Sequence, residues 1–247
     1  MLISIIIPTL NEETYIGQLL GYLNNHPQKD SIEIIVVDGG SQDKTLSIAG
    51  LHEGTLIETK IASRAHQMNE GAKQANGTIL YFVHADTQLV DSFVQDIHVA
   101  HQNGFKSGCY RFKFHQPQNP LLHINGFFTR FPFKWCRGGD QTLFIDKGVF
   151  ESIDGFDEKY VIMEDYDILD RIDAHQIPFK VIPKSVKVSS RKYDDNSYMK
   201  VQLTNLKAMK MYKHGTDPSE IRKFYCQSLD GKYKEDHLFL GNLKPHE

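Results

Sequence analysis

Acidic side chains recur at the ends of apolar runs in this chain, and that position limits the chemistry open to them. The run Ile79-Leu80-Tyr81-Phe82-Val83 stops at His84-Ala85-Asp86. The run Ile34-Ile35-Val36-Val37 stops at Asp38-Gly39-Gly40-Ser41. Unbroken apolar runs read as strands buried on both faces of a parallel sheet. The carboxyl ends of such strands are where open α/β sheets bind ligands. Asp86 could hold a divalent metal on a phosphorylated ligand, with the His84 imidazole as a second ligand or as a supporting group. Asp38 could accept hydrogen bonds from a base or ribose, or could simply make an Asp-Gly turn. Gly39 would let the backbone approach a ligand closely. A further acidic cluster, Glu164-Asp165-Tyr166-Asp167, follows the Gly155-Phe156 turn, and acids there suit the first turn of a helix. Arg64, Gln67 and Asn69 crowd into the start of another helix. The planar fork of Arg64 suits phosphate, although a solvated helix face would carry the same residues.

The elements that must position these groups follow from periodicity. Residues 2–7, 32–37, 55–59 and 79–83 read as strands. Ile16, Leu19, Leu20 and Leu23 make one helical face, with Asn11 as its expected cap and Glu12 and Glu13 in its first turn. Helices are also expected from Ser41, Ser63 and Asp91, and over residues 147–153. Residues 107–114 and a segment from Thr142 read as further strands, and residues 179–182 and 186–190 as two closing ones. His98 and His101 lie three apart on a helix, and an exposed face explains them better than a metal pair. The aromatic-rich segment 127–135 reads as a helix and loop packed on the sheet, with the lining of an acceptor groove or contact with a membrane surface as the alternatives.

The bulk properties exclude several classes. With 247 residues and a net charge of −3, the chain is not built to bind nucleic acid. Hydrophobic residues make up 40% and charged residues 24%, the balance of a globular protein. No apolar run approaches the roughly 20 residues of a membrane span, and the apolar start reads as a strand rather than a signal peptide. Cys109, Cys136 and Cys226 are odd in number and far apart, which fits a reducing cytoplasm. The loop Pro8-Thr9-Leu10-Asn11-Glu12 lacks the glycine fingerprint of a dinucleotide-dependent oxidoreductase.

Taken in order, Pro8-Thr9-Leu10-Asn11-Glu12, Val36-Val37-Asp38-Gly39-Gly40-Ser41, Arg64-Ala65-His66-Gln67-Met68-Asn69 and His84-Ala85-Asp86-Thr87 resemble family 2 glycosyltransferases of the GT-A fold. The resemblance covers residues 1–195. It looks like a bacterial subgroup with His-Ala-Asp-Thr in place of Asp-x-Asp. It implies an α/β, Rossmann-like, mostly parallel central sheet flanked by helices, with C-terminal helices after it. It also implies a nucleotide-diphosphate sugar donor, most commonly a UDP-sugar, and a divalent metal, Mn2+ or Mg2+, at Asp86 with His84 as a second candidate ligand. Pro8, Thr9, Glu12, Asp38, Gly39, Arg64, Gln67, Asn69, His84, Ala85, Asp86 and Arg191 are then the expected donor-binding residues. Gly139, Asp140 and Gln141 fall on the acceptor side. Asp165 is the expected general base of an inverting transfer, and Glu164 its neighbour in a Glu-Asp motif. The alternative is a non-catalytic relative that binds a nucleotide sugar, favoured by His84 in place of an acid.

Past residue 195 the sequence predicts a helical extension over 196–228 and a polar tail over 229–247. Tyr198, Val201, Met209 and Tyr212 fall on one face of a basic helix. That helix could rest on anionic lipid at the inner face of a membrane, or dock on its own domain.

Overall fold

The computed structural model describes residues 1–115, 117, 119–128, 130 and 141–230. The apolar runs occupy the middle of one sheet. Its strands are β1 (Ile3–Thr9), β2 (Ile32–Asp38), β3 (Thr55–Glu58), β4 (Ile79–Phe82), β5 (Ser107–Phe114), β6 (Leu143–Asp146) and β7 (Phe179–Val188), in the order β3-β2-β1-β4-β6-β5-β7. β6 runs antiparallel to both its neighbours, and the other pairings are parallel. The register sets Thr9 of β1 beside Asp38 of β2, and Ile6 of β1 beside Phe82 of β4. Three loop starts therefore line up along one sheet edge, including the turn that carries His84 and Asp86.

Alternation along β1 feeds two cores. Ile3, Ile5 and Ile7 pack with α1 (Ile16–Asn24) and α4 (Phe93–Gln102) on one face. Ile6 packs on the other face with α3 (Arg64–Gln74), α6 (Lys147–Ser152) and α7 (Glu164–Ala174). Between these lie the short α2 (Thr45–Ala49) and α5 (Leu122–Phe128). Gly71 lets α3 approach the sheet closely. A Cβ there would stand 2.5 Å from Ile6 Cγ2, so even alanine would force the helix outward.

Several local expectations are corrected. Asn11 does not cap α1, which begins at Ile16 with Tyr15 in the capping position and no acid in its first turn. Asn11 instead takes a left-handed backbone, φ 54°, that asparagine tolerates. Its side chain accepts from Gln42 N while its own N–H donates to Ser41 Oγ, tying the first loop to the second. The helix expected from Ser41 starts at Thr45, and the one expected from Asp91 starts at Phe93, with Ser92 before it donating its hydroxyl to Asp96. The two closing strands are one strand, β7, that runs through Pro183. It lies at the sheet edge, where a missing N–H is tolerated. The register slips there, from Tyr110 beside Ile182 to Arg111 beside Ser185, so a bulge absorbs the proline.

After β7 come α8 (Tyr198–Lys213) and α9 (Pro218–Ser228), which pack on each other. Val201, Ala208, Ile221, Tyr225 and Leu229 enclose Met163 in a third apolar cluster. The buried face of α8 is Val201, Thr204 and Ala208, turned from the expected face that held Met209. Packing continues past residue 228, since Leu229 is fully buried and the Asp230 N–H donates to Asn196 Oδ1.

Candidate active site

The loops after β1 and β4, the start of α7 and the segment after β7 close around a cavity of about 540 Å³. Pro8, Thr9, Glu12, Arg64, Gln67, His84, Ala85, Asp86, Glu164, Asp165 and Arg191 all line it. Residues from five separate parts of the sequence are thus brought to one site.

At its centre lies a charged triad. The Arg191 guanidinium grips the Glu12 carboxylate with both arms, at 2.7 and 2.5 Å, and lies 3.6 Å from Asp86 Oδ2. A bidentate pair of this kind fixes orientation as well as charge. Burial raises the pKa of Glu12, and Arg191 only partly offsets that. Burial also works against the charge on Arg191, but its bonds to Glu12 outweigh it and hold the guanidinium firmly protonated.

The opposite wall is the N-terminus of α7. Glu164 is buried there, 3.7 Å from Arg64. Burial, followed by the charge of Asp165, pushes its carboxyl up to about 8, against the pull of Arg64. The residue before the helix, Met163, has left-handed backbone, φ 81°, which is costly for a non-glycine side chain. Its side chain is held by the apolar cluster of α8 and α9, so the C-terminal helices fix the turn that presents Asp165.

Asp38, Gly39, Asn69 and Gln141 do not line the cavity. The Asp38 carboxylate is fully buried and accepts four hydrogen bonds, from Thr9 Oγ1, Ser41 Oγ, Gly40 N and Ser41 N. It shapes the loop behind the cavity. Gly39 is needed because a Cβ would stand 3.1 Å from Ala62 Cα and from Gln67 Nε2. Gln67 has its amide committed to Thr9 O and Val37 O, bracing the ends of β1 and β2. Asn69 holds the 155–158 turn, accepting from Phe156 N and donating to Phe156 O and Glu158. Arg171 of α7 grips the same turn through Ile153 O and Gly155 O. Gln141 contacts Cys109 beside a separate small pocket. Gly139 and Asp140 lie outside the described residues. His101 pairs with Asp146, and His98 bonds Met1 O.

Among the described residues no group of three His, Cys, Asp or Glu side chains is arranged to hold a metal. The oxygen and imidazole groups present would suit a divalent ion. Asp86 offers a hard carboxylate oxygen to the cavity with His84 two residues away.

Residues 4–148 match the family model for glycosyl transferase family 2. The chain belongs to glycosyl transferase family 2. Among its relatives is a PGL/p-HBAD biosynthesis glycosyltransferase of Mycobacterium bovis, 29% identical over 66% of this chain and 66% of that protein. Another is the poly(ribitol-phosphate) beta-N-acetylglucosaminyltransferase TarS of Staphylococcus aureus, 28% identical over 70% of this chain and 34% of TarS. The chain thus spans about two thirds or less of the length of these relatives. In solved structures the same fold occurs in the mannosyltransferase PcManGT from Pyrobaculum calidifontis in complex with GDP-Man and Mn2+, with a TM-score of 0.65 and 15% identity over 96% of this chain and 73% of that one. It occurs also in S. aureus TarS 1-349 in complex with UDP-GlcNAc, with a TM-score of 0.62 and 17% identity over 97% and 70% of the two chains. The α/β sheet with its flanking helices is the architecture that family 2 membership implies.

Sequence reasoning missed one wall of the cavity in this family 2 chain. Lys192, Tyr193, Gln202, Asn205 and Tyr225 all face it. Gln202 and Asn205, three apart on α8, are the helix's two amide side chains, and that spacing is the signal that could have found them.

Proposed function

We propose that the chain is an inverting glycosyltransferase that moves a sugar from a nucleotide-diphosphate sugar to an acceptor hydroxyl. The observation that carries this reading is that Asp86, Arg64, Arg191 and Asp165, groups suited to a diphosphate and to a proton, line one cavity. The acceptor hydroxyl gives its proton to Asp165 as its oxygen attacks the anomeric carbon. The bond from that carbon to the diphosphate oxygen breaks, and the diphosphate leaves with the electron pair. Arg191 and Arg64 offset the charge that develops on it. A divalent ion, Mn2+ or Mg2+, held by Asp86 with His84 beside it, supplies further positive charge when bound. The donor contacts come from Pro8, Thr9 and Glu12 on the nucleotide side. UDP-sugars are the first donors to test, since a TarS structure holds UDP-GlcNAc, with GDP-mannose second because PcManGT holds it. The reading includes a cytoplasmic location. Among the described residues no helix is long and apolar enough to cross a membrane.

The test is incubation with a panel of nucleotide sugars and divalent metals, following release of the nucleoside diphosphate. Turnover of one donor that is lost in Asp165→Asn supports the reading. Nucleotide binding with no turnover of any donor would make the chain a non-catalytic relative. No binding at all, or full activity in Asp165→Asn, would end the proposal.

A further inference from the structure

The side of α8 turned away from the core carries a second apolar surface. Met199, Leu203 and Leu206 are 59%, 59% and 67% exposed. Their spacing of four and three keeps them on one stripe. The same spacing continues to Lys210 and Lys213, both exposed, so the stripe changes from apolar to cationic along the helix. Lys207 lies along one flank, with Lys200 beyond it paired to Asp230, and α8 itself contains no acidic residue. Neighbouring α5 adds to the patch. The Tyr198 hydroxyl donates to Asn125 Oδ1 at 2.8 Å, bringing the start of α8 to α5, where Leu121 and Ile124 are also exposed. The same two helices also reach the cavity, which Asn125 and Gln202 line.

Exposed aliphatic side chains gathered on one face mark an interaction surface. The charge decides the partner. Lysines beside and beyond the stripe, with no acid on the helix, complement an anionic surface, and aliphatic side chains next to lysines suit the boundary between lipid headgroups and acyl chains. We propose that this face of α8, with the adjoining end of α5, rests on an anionic lipid bilayer. Met199, Leu203 and Leu206 enter the headgroup boundary, and Lys207, Lys210 and Lys213 meet the lipid phosphates. One consequence rests on the glycosyl-transfer reading: the acceptor is then carried in that surface.

The test is co-sedimentation of the full chain with vesicles of phosphatidylglycerol and phosphatidylcholine in equal parts, and with vesicles of phosphatidylcholine alone. Binding is expected to the first and not the second, and is expected to weaken as salt is raised. The double change Leu203→Glu and Leu206→Glu is expected to weaken binding at least ~10-fold. Lys210→Gln with Lys213→Gln is expected to weaken it about 10-fold. All four positions are exposed, so thermal unfolding of the variants is expected to match the parent. Absence of binding, equal binding to both vesicles, or unchanged binding in the leucine variant would overturn the proposal. So would light scattering that finds a dimer in solution which the leucine variant breaks, since the face would then be covered by a second copy. The readout is partitioning, not turnover. Lipid binding without donor turnover would therefore sink the transfer reading and leave this surface standing, and the reverse result would do the opposite.

Discussion

Behind the β1–β2 side of the cavity the polar side chains are anchored largely to main chain, while Glu12 at its surface is held by Arg191. Asp38 binds two backbone amides, and Gln67 binds two backbone carbonyls. On the C-terminal side the polar side chains mostly bind one another. Tyr225 donates to Asn205 at 2.8 Å, Lys192 reaches both of them, and Gln202 and Asn125 each donate to the Tyr193 hydroxyl. A group tied to backbone cannot change partner without moving a strand. A group tied to another side chain can exchange that partner for a ligand hydroxyl at little net loss. The first wall therefore behaves as scaffold and the second as a surface that can adapt to an acceptor.

The largest effect expected falls between the walls. Asp165→Asn should lower turnover by roughly 10²–10⁴-fold, the usual worth of a positioned general base, with nucleotide affinity unchanged. Next comes the scaffold. Asp38→Ala leaves two backbone amides and two hydroxyls without their acceptor in a buried loop. Denaturant unfolding should find it less stable by about 3 kcal/mol. The contrasting change on the adaptable wall, Asn205→Ala, should cost under about 1 kcal/mol and appear as a raised acceptor KM. Equal stability losses in these two variants would erase the distinction between the walls.

How much of this was legible in the sequence divides along the same line. The strands of the first half are apolar runs with polar ends, and β1, β2 and β4 appear where periodicity predicts them because both their faces are buried. Asp38 was legible as a strand end with two readings, a base or ribose contact or an Asp-Gly turn, but its bond to Thr9 was not. That depends on Thr9 lying beside it, and cross-strand register is not written in either strand alone. Asn69 looked like a binding residue because it shares a helix with Arg64, yet its partner is a turn 87 positions away in sequence. The merged β7 was hidden by Pro183, which stops a strand everywhere except at an edge or bulge. The C-terminal wall was least legible. Its residues are ordinary Asn, Tyr and Lys on helices, and their role follows from the packing of α8 and α9 around Met163.

A smaller effect concerns Glu164. Its carboxyl is raised from 4.5 to about 8 in the folded chain, so the folded state keeps a proton that the unfolded state has released. The stability this adds is fully present below the ordinary glutamate value and is lost as pH rises through about 8. Glu164→Gln should flatten that part of the stability–pH curve, as followed by denaturant melts across the window. A curve unchanged by the substitution would mean that Glu164 is ionised against Arg64 throughout. A modest effect is expected for Asn69→Ala. Freeing the 155–158 turn should cost about 1 kcal/mol and lower kcat severalfold with little change in donor KM, because the turn supports α7 and not the donor.

The account stands on a division of labour within one cavity: Asp86 serves the donor diphosphate and Asp165 serves the acceptor proton. The most direct test is to measure, in the same preparations, nucleoside-diphosphate affinity in the presence of Mn2+ and sugar-transfer turnover for Asp86→Asn and Asp165→Asn. The account predicts that Asp86→Asn weakens affinity, and that Asp165→Asn retains it while turnover collapses. Two variants that lose affinity and turnover in parallel, or an Asp165→Asn variant that turns over normally, would contradict it.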